Sequence, residues 1–145
     1  MNVLVPMDGS EQSEAALDHA LTRFEDPVVT VLSVVDPVAT GYEVAPGAGP
    51  AATGVENWYE QAEMRAERIV TAAEDRVAET DADATVETAT EIGDPARTIV
   101  AYADEHDVDH VVVGSHGRTG LTRVLLGSVA ESVVRRADCP VTVVR

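Results

Sequence analysis

Lysine is missing altogether. All ten basic side chains of the 145-residue chain are arginine, set against 26 aspartates and glutamates for a net charge of −16. That balance makes nucleic-acid backbones and anionic membranes poor partners, since both repel a polyanion. Cysteine occurs once, as Cys139, which excludes a disulfide framework and a cysteine zinc site. Aromatic residues are 3% of the chain against 45% apolar residues, so the core must be built from valine, alanine and leucine instead of rings. No apolar run reaches the ~18 residues needed to span a bilayer, and residues 1–8 lack the basic start of a signal peptide. The expectation is a soluble cytoplasmic protein with a single domain over 1–145, large enough to bury a core without disulfides or metals.

Small domains usually carry a net charge of magnitude about 2–8. A charge of −16 pushes a compact state apart at ordinary ionic strength, and the acids are spread along the chain instead of gathered in a tail. Two readings compete. One is a merely acidic cytosolic protein. The other is a protein from a halophile, adapted to molar salt where screening shrinks to about 3 Å. The loss of every lysine favours the second.

What the chain does contain is a regular alternation of short apolar runs and helical stripes. Asn2–Pro6, Val28–Val35 and Val108–Val113 read as buried strands, Thr85–Ile92 as a strand nearer the sheet edge, and Pro140–Val144 as a final strand. Between them, apolar residues recur at helical spacing. Ala16, Leu17, Ala20, Leu21 and Phe24 follow a capping Ser10, and Trp58, Ala62, Ala66, Ile69, Ala73 and Val77 mark a long second helix. Asp94-Pro95 opens a third, with an inward stripe of Ala96, Ile99, Val100 and Ala103, and Ala130, Val133, Val134 and Ala137 mark the last. Five strands alternating with four helices predict an α/β fold, a doubly wound five-stranded parallel sheet with helices on both faces. Residues 37–55 do not fit. This stretch is rich in glycine, proline and alanine and has no period, so it is expected to be a flexible loop within the domain, either a ligand-covering flap or a bland insertion.

The chemistry concentrates after the fourth strand. Val113 runs into Gly114, then Gly117, and Gly127-Ser128 opens a helix. Glycines there let the backbone turn tightly and approach a ligand. Successive N–H groups in such a turn form an anion nest, and those of Gly127, Ser128, Val129 and Ala130 at the helix start form a second. Two donor sets at one strand end suit a polyphosphate. The pattern is not a Walker A loop, which requires a lysine, nor the G-x-G-x-x-G of dinucleotide folds. His116 sits in the loop without a serine and carboxylate at catalytic spacing, so no catalytic residue is assigned. Arg118 and Arg123 either screen phosphate charge or are solvated. His19, His106 and His110 have no metal-ligand partners nearby in sequence, and Cys139 reads as a small buried hydrophobe.

Over essentially all of its length the sequence resembles the universal stress proteins. The resemblance lies in the opening V-L-V-P-M-D-G-S-E-Q-S-E-A-A-L, in Gly93-Asp94-Pro95, in V-V-V-G-S-H-G-R, and in the closing L-L-G-S-V-A-E-S-V-V-R-R-A-D-C-P-V-T-V-V. Gly114, Gly117, Gly127 and Ser128 match the G-x2-G-x9-G-[S/T] pattern of that family's nucleotide-binding branch. The resemblance implies strand order 3-2-1-4-5, a homodimer paired through the C-terminal edge strand, and ATP as ligand, with or without Mg2+. It places the nucleoside at Pro6, Met7, Asp8 and Val34. The phosphates fall around Val113, Gly114, Ser115, His116, Gly117 and Arg118 and on Gly127, Ser128, Val129 and Ala130. Asp8 has a second reading, as a cap for the helix near Ser10. The function expected is an ATP-binding stress-response signalling module that contacts an unidentified protein partner and is not an enzyme. The alternatives are a weak ATP hydrolase or self-phosphorylating protein, and a ligand-free dimeric scaffold.

Overall fold

The computed structural model describes residues 1–37, 52–115 and 126–145. The elements follow in the order β1 (Asn2–Pro6), α1 (Glu11–Arg23), β2 (Val28–Val35), α2 (Ala52–Glu79), β3 (Thr85–Ile92), α3 (Pro95–Glu105), β4 (His110–Gly114), α4 (Ser128–Arg136) and β5 (Val141–Val144). All the strands are parallel, in the order β3-β2-β1-β4-β5. This is the doubly wound sheet that the alternation of runs and stripes predicts.

Side-chain alternation along each strand sorts the core into two layers. Val3, Val5, Val29, Val31 and Val112 pack on one face against Ala16, Leu17, Ala20 and Leu21 of α1 and Ile69 and Ala73 of α2. Leu4, Leu32 and Val111 pack on the other face against Ile99 and Ala103 of α3 and Val133 of α4. Each fully buried valine or leucine contributes roughly 1.5–3 kcal/mol relative to exposure, so a core poor in rings still suffices. The small alanines of α1 and α2 let the helices lie close to the valine-lined sheet.

The helix starts follow local chemistry. Ser10 caps α1, its Oγ accepting from the Ser13 N–H at 3.2 Å. Asp94 caps α3, accepting from the Arg97 N–H at 3.1 Å, with Pro95 in the first turn where no amide is needed. Arg76 ties α2 to α1, donating to both carboxylate oxygens of Asp18 at 2.6 and 2.7 Å and to Glu14 at 3.2 Å.

Three elements differ in their bounds from the sequence reading. Helix α2 begins at Ala52, so residues 52–55, expected in the loop, are helical, while 38–51 lie outside the described residues. Strand β4 runs from His110 to Gly114, two residues later at its start and one at its end than expected. Strand β5 begins at Val141, after Pro140; the Pro140 carbonyl still accepts from the Val111 N–H at 3.0 Å. Strand β3 does form one edge, with most of its residues exposed, and β5 forms the other.

Candidate functional site

In this strand order the chain winds one way from β1 and the other way from β4. The loops that leave their carboxyl ends therefore diverge, and a crevice opens between them. The β1–β4 register pairs Leu4 with Val111. Carried forward at the same offset, it brings Met7 level with Gly114 and Asp8 level with Ser115.

On the β1 side, Pro6 and Met7 are buried, and the Met7 N–H donates to the Leu32 carbonyl at 2.9 Å. The chain then turns through Asp8, Gly9 and Ser10. Asp8 is half-buried, and its Oδ1 accepts from the Ser10 N–H at 3.0 Å. Gly9 adopts φ +82°, a left-handed conformation that favours glycine. The alternative reading of Asp8 as the helix cap is corrected: Ser10 is the cap, and Asp8 fixes the turn before it. Gly9 was missed as a site residue, although the Asp-Gly pair is a turn signal in any sequence.

On the β4 side, Val113 is buried and Gly114 ends the strand. A Cβ on Gly114 would meet the backbone of Gln12 at 2.8–2.9 Å. The close approach at this glycine is made by the first turn of α1. Ser115 is 1% exposed. Its N–H donates to the Val144 carbonyl at 2.7 Å, and its own carbonyl accepts from the Gly127 N–H at 2.6 Å. That last bond brings the start of α4 to the end of β4. The two sequence segments expected to share a site do meet, with His116, Gly117 and Arg118 between them outside the described residues.

Gly127 is the N-cap of α4 with ordinary extended angles, φ −69° and ψ 161°, and its carbonyl accepts from the Glu131 N–H. Its own N–H is committed to Ser115. The set of four donors expected at this helix start is thereby corrected to the amides of Ser128, Val129 and Ala130. Ser128 is exposed, Val129 half-buried and Ala130 buried.

Val34 lies on the far side of β1. Along a parallel strand, successive residues turn their backbone groups to opposite neighbours. Leu32 turns toward β1, while Val35 turns toward β3 and accepts from the Gly93 N–H at 2.9 Å. Val34 therefore shares Leu32's direction, and it lies beyond Pro6↔Leu32, where the β1 pairing ends. Its N–H and carbonyl face the crevice side of the sheet. The arrangement thus offers a carboxylate, the backbone groups of Val34 and a helix start, all at one end of the sheet.

Other candidates lie apart from this crevice. His110 bonds the Thr142 hydroxyl at 2.7 Å and meets the Phe24 ring edge-on, and burial, with a smaller contribution from His19, lowers its pKa. Burial pushes the Cys139 thiol up, away from the reactive thiolate. Among the described residues no group of three or more His, Cys, Asp or Glu is placed to hold a metal.

A five-stranded parallel sheet in this order, with its crevice at the winding reversal, defines a doubly wound α/β domain. The chain belongs to the universal stress protein family, whose pattern it matches over residues 1–145. A universal stress protein of Methanocaldococcus jannaschii is 37% identical over 147 residues, covering 99% of this chain and 81% of the relative. The solved universal stress protein UspA from Lactobacillus plantarum is 33% identical, covers 100% of this chain and 97% of its own, and superposes with a TM-score of 0.79. A universal stress protein solved in complex with cAMP is 26% identical with a TM-score of 0.64, covering 100% of this chain and 97% of that one.

Proposed function

We propose that this protein is an ATP-binding module of the stress response that reports nucleotide state to a protein partner. The observation that carries the reading is the 2.6 Å bond from the Gly127 N–H to the Ser115 carbonyl, which sets the N-terminus of α4 at the crevice. Helix starts favour anions through oriented amides and the helix dipole. Such donors need no side-chain cation, which matters in a chain at −16. Phosphates would rest on the Ser128, Val129 and Ala130 amides and the Ser128 hydroxyl. Asp8 would bind ribose hydroxyls, and the Val34 backbone groups the adenine edge. Nucleotide binding is supported by the relative solved with cAMP. The triphosphate is preferred on the sequence pattern alone, because Gly114, Gly117, Gly127 and Ser128 match G-x2-G-x9-G-[S/T]. Mg2+ enters only as the companion of ATP, since it leans chiefly on substrate phosphates.

Binding without turnover is the preferred reading. Phosphoryl-transfer loops of the Walker type use a lysine on the β- and γ-phosphates, and this chain has none. The setting we infer is the cytoplasm of a halophile, on the charge balance. The dimer is assigned to β5: its residues Val141, Thr142, Val143 and Val144 carry no charge to discourage pairing, whereas β3 carries Glu87 and Glu91. Calorimetry with ATP, ADP and cAMP in molar salt, beside a single-turnover hydrolysis assay, tests the reading. Saturable ATP binding without product formation supports it. ATP turnover would make the protein an enzyme, and no binding of any of the three would leave the dimeric scaffold.

A further inference from the structure

The opposite edge of the sheet carries a second feature. Pairing of β3 with β2 runs the full length of the strand, from Val28↔Thr85 to Val35↔Ile92. The Thr85 N–H donates to the Pro27 carbonyl and the Gly93 N–H to the Val35 carbonyl. Residues in step with these, Glu87, Ala89 and Glu91, also turn inward. Val86, Thr88, Thr90 and Ile92 therefore turn their N–H and carbonyl groups outward along the edge. Beside that edge lies a cavity of about 320 Å³ between β3 and α3, lined by Glu91, Arg97, Thr98, Ala101, Tyr102 and Glu105. Ala89 packs into the core layer under α3, so Glu87 and Glu91, each two residues away, project on the same face. The pKa of Tyr102 reports their nearness: it is raised first by burial and then by the charges of Glu87 and Glu91.

We infer that the outward edge of β3 and the groove between β3 and α3 form a docking surface for an extended, basic peptide segment of a partner protein. A strand added to a free edge gains main-chain hydrogen bonds, and alternate side chains reach an adjacent groove. Here those side chains meet Glu87, Glu91 and Glu105 against a single Arg97, so lysine or arginine at alternate positions is complementary. Tyr102, whose ring stacks on His106 with centroids 3.8 Å apart, forms part of the groove wall. A second copy of this chain is disfavoured at the same edge, because it would bring Glu87 and Glu91 against a surface of the same sign. Ile92, 52% exposed at the end of the strand, offers an apolar contact where the peptide would finish. The inference rests on the part of the proposed function that gives the protein a partner, and it does not involve nucleotide.

The test uses the full chain without nucleotide, in the lowest salt at which it stays folded. The probe is a short capped peptide alternating lysine and valine, compared with the same peptide carrying glutamate for lysine. Amide hydrogen exchange should show new protection at Val86, Thr88, Thr90 and Ile92 with the basic peptide only. A Glu87→Arg/Glu91→Arg variant with an unchanged thermal midpoint should lose about fivefold or more in affinity, as expected when two surface attractions become repulsions. Thr90→Pro removes one outward amide without touching the β2 ladder and should also weaken binding. Protection confined to other amides, equal binding of the acidic peptide, unchanged affinity in the charge-reversed variant, or dimerisation of the chain through β3 would each overturn the proposal. Because ATP is absent, failure here leaves the nucleotide reading untouched, and failure of ATP binding leaves this surface untouched.

Discussion

A Cβ atom on Gly114 would lie 2.8 Å from the carbonyl carbon of Gln12, so the end of β4 and the first turn of α1 touch through a glycine that no larger residue replaces without movement. The contact braces the two walls of the crevice, because α1 starts directly after the Asp8 turn.

Gly114→Ala should therefore destabilise the protein in the absence of any ligand, by about 1–3 kcal/mol as overpacking does in tight sites. Denaturant unfolding of the nucleotide-free variant measures this. A wild-type midpoint would mean that α1 can shift freely and that the glycine serves the ligand after all.

Ser128→Ala should weaken ATP binding by roughly 0.5–1.5 kcal/mol, the net worth of an ordinary hydrogen bond, with no loss of stability, because the Ser128 side chain is exposed. Calorimetry in high salt reads the difference. Equal affinity would place the phosphates away from the start of α4.

The lowered pKa of His110 has a definite sign. The folded state favours the neutral ring, so its stabilising contribution is full above the unfolded value of 6.5 and is lost as pH falls below it. His110→Gln removes the bond to Thr142 and the contact with Phe24. The stability gap between wild type and variant should be larger at about pH 7.5 than at about pH 5.5. Thermal melts of both proteins at the two values check this, and a gap that widens on acidification would contradict it.

Salt should stabilise the fold. Raising KCl from about 0.1 M to 2 M shortens the screening length by more than half, which relieves the self-repulsion of a −16 chain. A thermal midpoint that barely moves over that range would remove the case for a halophilic protein.

Much of the architecture was legible because it rests on local rules. Short apolar runs rich in valine marked β1 and β2 to the residue, alternation marked β3, and Ser10 and Asp94 announced their helices. What stayed hidden depends on partners distant in sequence. Nothing local to Gly127 says that its N–H is committed to the Ser115 carbonyl, and nothing near Gly114 says that Gln12 is its neighbour. That the backbone groups of Val34 turn toward β1 follows only from the β2 register, which needs both flanking strands. The start of α2 at Ala52 was missed for a local reason: Ala52-Thr53-Gly54-Val55 carries a glycine and no apolar period, so propensity argued for loop where the structure continues the helix.

The proposed nucleotide lies across the carboxyl ends of β1 and β4. Amide shift mapping by NMR during an ATP titration in molar KCl tests this placement most directly. The largest changes are expected at Met7–Ser10, Val34, Ser115 and Gly127–Ala130. Saturable shifts confined to any other region, with those amides silent, would contradict it.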